Sequence, residues 1–232
     1  MKQFFLRHLE GNTSLLLFFA GWGAEPCMFG YNGTADNSSC DILMCYDYRD
    51  MQFDTSVLEG YSGIAVLGWS MGVWVAGHTL THMESVNCPR IAVNGTPFPI
   101  HDTMGIPEAI FDGTLATLSD RTLTKFRRRM CGSSAAMEQL TGTSLSRPTD
   151  ELRDELAAVL HFVDAVEVRQ SAQDSFRWTK AIVGLDDLIF PPDNQKAAWK
   201  AAGVPATTLN IPHWDHALFR KLLYEDGTWT NN

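Results

Sequence analysis

Gly68-Trp69-Ser70-Met71-Gly72 sits between a short apolar run, Ile64 to Leu67, and a helix-length segment, Met71 to Met83, and leaves few folds open to the chain. A G-x-S-x-G match joining a strand to a helix demands a sharp turn that lifts the serine hydroxyl above the edge of a sheet. Glycine is needed on both sides, because a side chain at position 68 or 72 would strike the neighbouring strand or helix. Ser70 is therefore the candidate nucleophile, and the rest of the sequence must supply strands that alternate with helices.

Seven short apolar runs read as strands: Gln3 to Leu9, Leu15 to Phe19, Ile42 to Tyr46, Ile64 to Leu67, Arg90 to Val93, Lys180 to Val183 and Thr207 to Ile211. The first two, separated by Glu10-Gly11-Asn12, predict an opening hairpin. Later runs alternate with helical segments such as Asn194 to Ala202, which predicts a mostly parallel central sheet with helices on both faces. From about residue 97 to 177 the pattern is helical, most clearly from Asp150 to about Ala172 behind Thr149 as N-cap, with Leu152, Leu156, Val159, Leu160 and Val163 as the buried stripe. The expected organisation is a single α/β domain over residues 1–232 with a helical lid insertion at approximately 97–177, between the fifth and sixth strands.

A serine hydroxyl is a weak nucleophile and needs a base, which in this chain order follows as Ser, Asp, His. The strand from Lys180 runs into Gly184-Leu185-Asp186-Asp187, placing an acid at the carboxyl end of a strand. Asp187 is preferred on its spacing from Gly184 and Pro191. Asp186 is the competitor, with a turn or cap role as its ordinary reading. After the last strand, Pro212-His213-Trp214-Asp215-His216 offers two histidines. His216 is preferred as the base because it opens the final helical run, and His213 is the alternative, otherwise a loop histidine packed on Trp214 or a substrate contact. The oxyanion is expected to be held by the N–H groups of Met71 and of Trp22, the latter flanked by Gly21 and Gly23 in what is otherwise an ordinary glycine-rich turn.

Composition narrows the partners. With 27 acidic against 18 basic side chains and a formal net charge of -9, the chain lacks the basic face that nucleic-acid binding requires. Five cysteines without C-x-x-C spacing outline neither a disulfide framework nor a zinc site. His78 and His82 lie four apart, but Thr79 replaces the glutamate of the helical zinc motif, so no metal is expected. Phe4 to Leu6 and Leu15 to Ala20 are too short for an export signal or a bilayer span, giving the expectation of a soluble, cytoplasmic protein without a membrane partner. The Asn-x-Ser/Thr triplets at Asn12, Asn32, Asn37 and Asn94 are then incidental. One dense basic cluster, Arg121 with Lys125 and Arg127, Arg128 and Arg129, falls in the helical insertion, either as a solvated helix face or as a receiver for an anionic partner. Among the large aromatics, Trp22 and Trp69 are the candidates for lining an apolar pocket, and Trp74, Phe98, Phe111 and Phe126 read as core.

Phe19-Ala20-Gly21-Trp22-Gly23, Cys45-Tyr46-Asp47-Tyr48, Trp69-Ser70-Met71-Gly72-Val73-Trp74, Val93-Asn94-Gly95-Thr96, Gly105-Ile106-Pro107, Lys125-Phe126 with Arg128-Arg129, and Asp187-Leu188-Ile189-Phe190 together resemble the BioG-type pimeloyl-[acyl-carrier protein] methyl ester esterases of bacterial biotin synthesis. The resemblance implies an α/β-hydrolase fold and a carboxylesterase working through Ser70, Asp187 and His216. It also implies acyl-carrier protein as the partner that presents the substrate, with no cofactor. Ala20 stands where many α/β hydrolases carry a histidine, a departure the family shares. Trp22, Trp69, Arg127, Arg128 and Arg129 are the candidate substrate-binding residues, the arginines as a patch for the acidic carrier. Other readings of the same residues are a thioesterase, a general short-chain carboxylesterase, and a carrier-binding module without catalysis.

Overall fold

The computed structural model describes residues 1–30, 40–81, 88–167 and 176–225. Seven strands form one sheet: β1 (Lys2–Arg7), β2 (Ser14–Phe19), β3 (Cys40–Tyr46), β4 (Gly63–Trp69), β5 (Arg90–Val93), β6 (Lys180–Gly184) and β7 (Ala206–Leu209). Their spatial order is β1-β3-β2-β4-β5-β6-β7, with β1 antiparallel to β3 and every other pair parallel. All seven apolar runs are strands, within a residue or two at their ends.

The opening hairpin does not form. β1 pairs with β3, from Lys2 opposite Tyr46 to Arg7 opposite Ile42, and β2 passes to the inside of the sheet between β3 and β4. Burial accounts for this. Leu15 to Phe19 is continuously apolar and fully buried, which suits a parallel strand covered on both faces, whereas β1 alternates exposed and partly buried residues and suits an edge.

Helix α1 (Met71–Thr79) follows β4 and buries Met71 to Ala76; it ends earlier than the sequence pattern predicts, and Met83 lies outside the described residues. Between β5 and β6 come α2 (Glu108–Ala116), α3 (Asp120–Cys131), α4 (Ser134–Thr141) and α5 (Thr149–Glu167). The α3 helix begins in a capping box at Ser119 and Thr122 and stops at Gly132, whose φ of +68° suits a glycine C-cap. The α5 helix buries Leu152, Leu156, Val159 and Val163, and Glu155 with them, whereas Leu160 of the expected stripe is only partly buried and Ala172, its expected end, lies outside the described residues. After β6 come α6 (Pro192–Ala201) and, beyond β7, α7 (His216–Arg220). The parallel strands bring the ends of β2, β4, β5, β6 and β7 to one edge of the sheet, which is where an open α/β sheet places its site.

All five cysteines are free thiols. Among the described residues no helix is long and apolar enough to cross a membrane. His82 lies outside the described residues, as do Asn32 and Asn37.

Candidate active site

The turn between β4 and α1 carries Ser70 at φ +57°, ψ -127°, a conformation sparsely populated by any residue with a side chain. Close packing holds it there. A Cβ at position 72 would lie 2.1 Å from the carbonyl oxygen of Phe19, and one at position 68 would lie 2.6 Å from the Trp178 ring. The Ser70 N–H donates to Val93 O at 3.0 Å, anchoring the turn to the end of β5.

The loop after β2 lies against this turn. A Cβ at Gly21 would stand 2.9 Å from the Ser70 Cβ, so Trp22 follows directly beside the serine. Met71 opens α1, where an amide N–H has no acceptor inside its own helix. Among the described residues, neither the Met71 N–H nor the Trp22 N–H has a protein acceptor. The loop is pinned from behind by α5 and by the turn after β3: the Trp22 Nε1–H donates to Leu152 O at 2.8 Å, Gly23 N–H to Glu155 Oε2 at 3.3 Å, and the Tyr48 hydroxyl to Ala20 O at 2.7 Å. Burial pushes the Glu155 carboxyl up, with the Arg147 guanidinium at 2.8 Å opposing.

Beyond β6, Asp187 is buried and takes four hydrogen bonds. Its Oδ1 accepts from Ile189 N at 2.8 Å and Phe190 N at 2.9 Å, while its Oδ2 accepts from Gln195 Nε2 at 2.9 Å and pairs with His213 Nδ1 at 2.9 Å. His213 is 2 % exposed, lies parallel to the Phe190 ring at 6.1 Å between centroids, and packs against Trp69 at 5.4 Å. Of the two aspartates, Asp187 is the carboxylate that meets a histidine.

The preference for His216 does not agree with the geometry. Asp215 caps α7, its carboxylate accepting from Leu218 N at 2.7 Å, so His216 is the first residue of a helix and its ring lies against Trp214 at 6.0 Å. His213, three residues earlier, is still in the loop at the catalytic edge. The Asp215-x-x-Leu218 spacing is a helix-start signal that could have placed residue 216 on the helix and left 213 as the loop histidine.

Ser70 and His213 line one mostly apolar pocket with Trp22, Trp69, Met71, Ile106, Ile110, Phe111, Phe126, Leu156, Leu188 and Arg129. Its roof comes from α2, α3 and α5. The three arginines part company here. Arg129 reaches the rim of this pocket, and Arg127 lies beside a separate recess with Gly23, Met28 and Leu152. Arg128 is exposed on the outside of α3. A groove between α2 and α3 shares Ile110, Thr114, Phe126 and Arg129 with the pocket and adds Lys125. Of the residues expected to be core, Phe111 and Phe126 line the pocket and Phe98 is 39 % exposed.

Sequence reading passed over Gln195, for which no local pattern exists, and Asn94, which the glycosylation triplet disguised. Asn94 is buried at φ +46°, with both ends of its amide engaged.

The family model described as "Pimeloyl-ACP methyl esterase BioG" matches residues 1–226. A protein of Bacteroides fragilis named "Malonyl-[acyl-carrier protein] O-methyltransferase" is 42 % identical over 208 residues, 90 % of this chain, but the match spans only 41 % of that protein's length. An uncharacterized protein of Haemophilus influenzae is 40 % identical over 185 residues, covering 80 % of this chain and 81 % of that one. The crystal structure of BioG from Haemophilus influenzae superposes with a TM-score of 0.83 at 34 % identity, covering 99 % of this chain and 100 % of that one. At 14 % identity the enol-lactonase of Burkholderia xenovorans shares the α/β-hydrolase fold, with a TM-score of 0.61 over 95 % of this chain and 90 % of that one.

Proposed function

The chain belongs to the BioG family of pimeloyl-ACP methyl esterases, and from that membership we propose that it hydrolyses the methyl ester of pimeloyl-[acyl-carrier protein] by a Ser70-His213-Asp187 mechanism. The observation that carries the mechanism is that His213, paired with the buried Asp187, lines the same apolar pocket as the strained Ser70. Asp187, held by two backbone N–H groups and Gln195, keeps the His213 proton on Nδ1 and leaves Nε2 as the base. His213 takes the Ser70 proton as the hydroxyl attacks the ester carbonyl, then returns it to the departing methanol. Water, activated by the same imidazole, frees the acyl group from Ser70. The Met71 and Trp22 N–H groups hold the negative oxygen of each tetrahedral intermediate. No step calls for a metal or an organic cofactor.

The lid, in this reading, is the α2 to α5 segment over the pocket, within the 97–177 insertion of a single domain. The acyl chain lies against Trp22, Trp69, Phe111 and Phe126, and the groove past Arg129 and Lys125 leads towards the carrier. A basic patch on α3 steers the acidic carrier by local charge although both partners carry net negative charge.

Mass spectrometry of methyl-pimeloyl-carrier protein, incubated with wild type and with Ser70→Ala, tests the proposal. A loss of about 14 Da with wild type alone is expected for ester cleavage through the serine. An unchanged mass removes this substrate, and loss of the whole acyl group turns the reading to a thioesterase.

A further inference from the structure

Resting on the assignment of Ser70, His213 and Asp187 above, we infer that Asn94 is the positioning residue that fixes the three catalytic segments relative to one another. Asn94 is the first residue past β5. It is 1 % exposed and sits at φ +46°, in the left-handed region that asparagine, aspartate and glycine tolerate best.

Each catalytic segment is referred to this point. Asn94 Oδ1 accepts from the N–H of Gly184 at 2.7 Å, where the chain leaves β6 towards Asp187. Its Nδ2 donates to Pro212 O at 2.8 Å and to His213 O at 3.0 Å, holding the backbone of the base itself. The preceding residue, Val93, accepts the Ser70 N–H, and the following residue, Gly95, packs so closely that a Cβ there would lie 2.3 Å from Ser70 O. The Asn94 N–H is in turn tied to Ile182 O at 3.0 Å.

The chemistry selects an amide. One end must accept from an N–H and the other must donate to two carbonyls; a flipped amide would set oxygen against two oxygens, and an apolar isostere would take the partner from the Gly184 N–H and the Pro212 carbonyl and one of two donors from the His213 carbonyl. His213 O receives a second donor, the Trp69 Nε1–H at 2.9 Å, so the carbonyl beneath the base is held from two directions. Asn94 does not line the pocket that holds Ser70 and His213, which separates its role from substrate binding. Its expected effect is on the placement of the imidazole. A misplacement of about 1 Å costs on the order of 100-fold in rate.

The test compares Asn94→Asp, Asn94→Gly and His213→Ala by kcat and KM on p-nitrophenyl butyrate, by melting temperature, and by the downfield NMR signal of the His213 Nδ1–H. Asn94→Asp keeps the shape, the acceptor for Gly184 and the tolerance of positive φ, but faces an oxygen to two carbonyls. Asn94→Gly deletes the amide without burying a charge and carries the test if the first variant does not fold. The expected result is a folded variant with KM within about twofold of wild type, kcat lower by about 30- to 100-fold, and a broadened Nδ1–H signal. A folded Asn94 variant with kcat within about threefold of wild type and a sharp Nδ1–H signal, while His213→Ala is inactive, overturns the inference alone. Wild-type kcat in His213→Ala overturns the assignment of the base, and the inference with it.

Discussion

Replacing Asp187 by asparagine changes one atom and should disable the site. In the native pair the backbone N–H groups of Ile189 and Phe190 both point at Oδ1. They belong to the turn itself and cannot reorient, so the asparagine oxygen must stay with them. Its NH2 group then occupies the place of Oδ2 and confronts two donors, Gln195 Nε2 and the His213 Nδ1–H. The imidazole can relieve its half of that conflict only by moving its proton to Nε2, which removes the lone pair that should take the serine proton. Loss of the correct tautomer in such a triad lowers kcat by about 10⁴-fold, equivalent to about 5.5 kcal/mol of barrier. The assay is the steady-state rate on p-nitrophenyl butyrate, with circular dichroism confirming the fold and a fluorophosphonate probe reporting Ser70 reactivity. The probe should label the variant far more slowly than wild type. A folded Asp187→Asn protein retaining more than about a tenth of wild-type kcat would refute the tautomer argument, because no loss of that size allows it.

His213→Ala should lose about 10³-fold or more in kcat while His216→Ala stays within a few-fold of wild type; equal losses in the two would sink the assignment of the base. Gly72→Ala drives a Cβ to 2.1 Å from Phe19 O and 2.4 Å from Ala20 O, both backbone atoms of β2 and its loop, and should cost more than about 4 kcal/mol in chemical denaturation. A wild-type denaturation midpoint would show that the turn can open without strain. At Asp47, burial works to raise the carboxyl, but hydrogen bonds from Arg49 and Lys2 and the nearby Arg147 charge outweigh it and hold the group well below the usual carboxylate range. The native state then binds fewer protons there than the unfolded chain, so this stabilisation is present above about pH 4 and fades as the pH falls through and below it. Asp47→Asn should flatten the acid limb of a stability-against-pH curve, and an unchanged limb would count against the network. For carrier-bound substrate, raising salt from 50 to 500 mM should increase KM while leaving KM for a small neutral ester unaltered, and parallel changes would remove the α3 patch as a docking charge.

The strands, the elbow around Ser70 and the helical stretch before Lys180 were legible because each leaves a local signature: apolar runs bounded by turns, two glycines around a serine, a stripe at helical spacing. Asp187 was legible for the same reason, through its place between Gly184 and Pro191. The partner of β1 was not. A turn of suitable composition at Glu10 to Asn12 is compatible with pairing to β2, and only the competition of Leu15 to Phe19 for burial on both faces sends β2 inside and leaves β1 to β3.

The choice between His213 and His216 shows the same limit at the scale of one loop. Sequence places two imidazoles after the last strand, and Asp215 as an N-cap marks where α7 starts; that the loop imidazole then reaches Asp187 depends on Asn94 and Trp69 gripping His213 O from positions distant in sequence. The arginine cluster divides likewise, since neighbours on one helix turn by about 100° per residue and face different surroundings. Local sequence thus determines the elements and the serine-bearing turn between β4 and α1. Which histidine joins it, which arginine reaches the pocket and what an ordinary-looking asparagine holds are decided in three dimensions, because hydrogen bonds between strand ends join residues about 90 to 140 positions apart, where no periodicity in the chain records them.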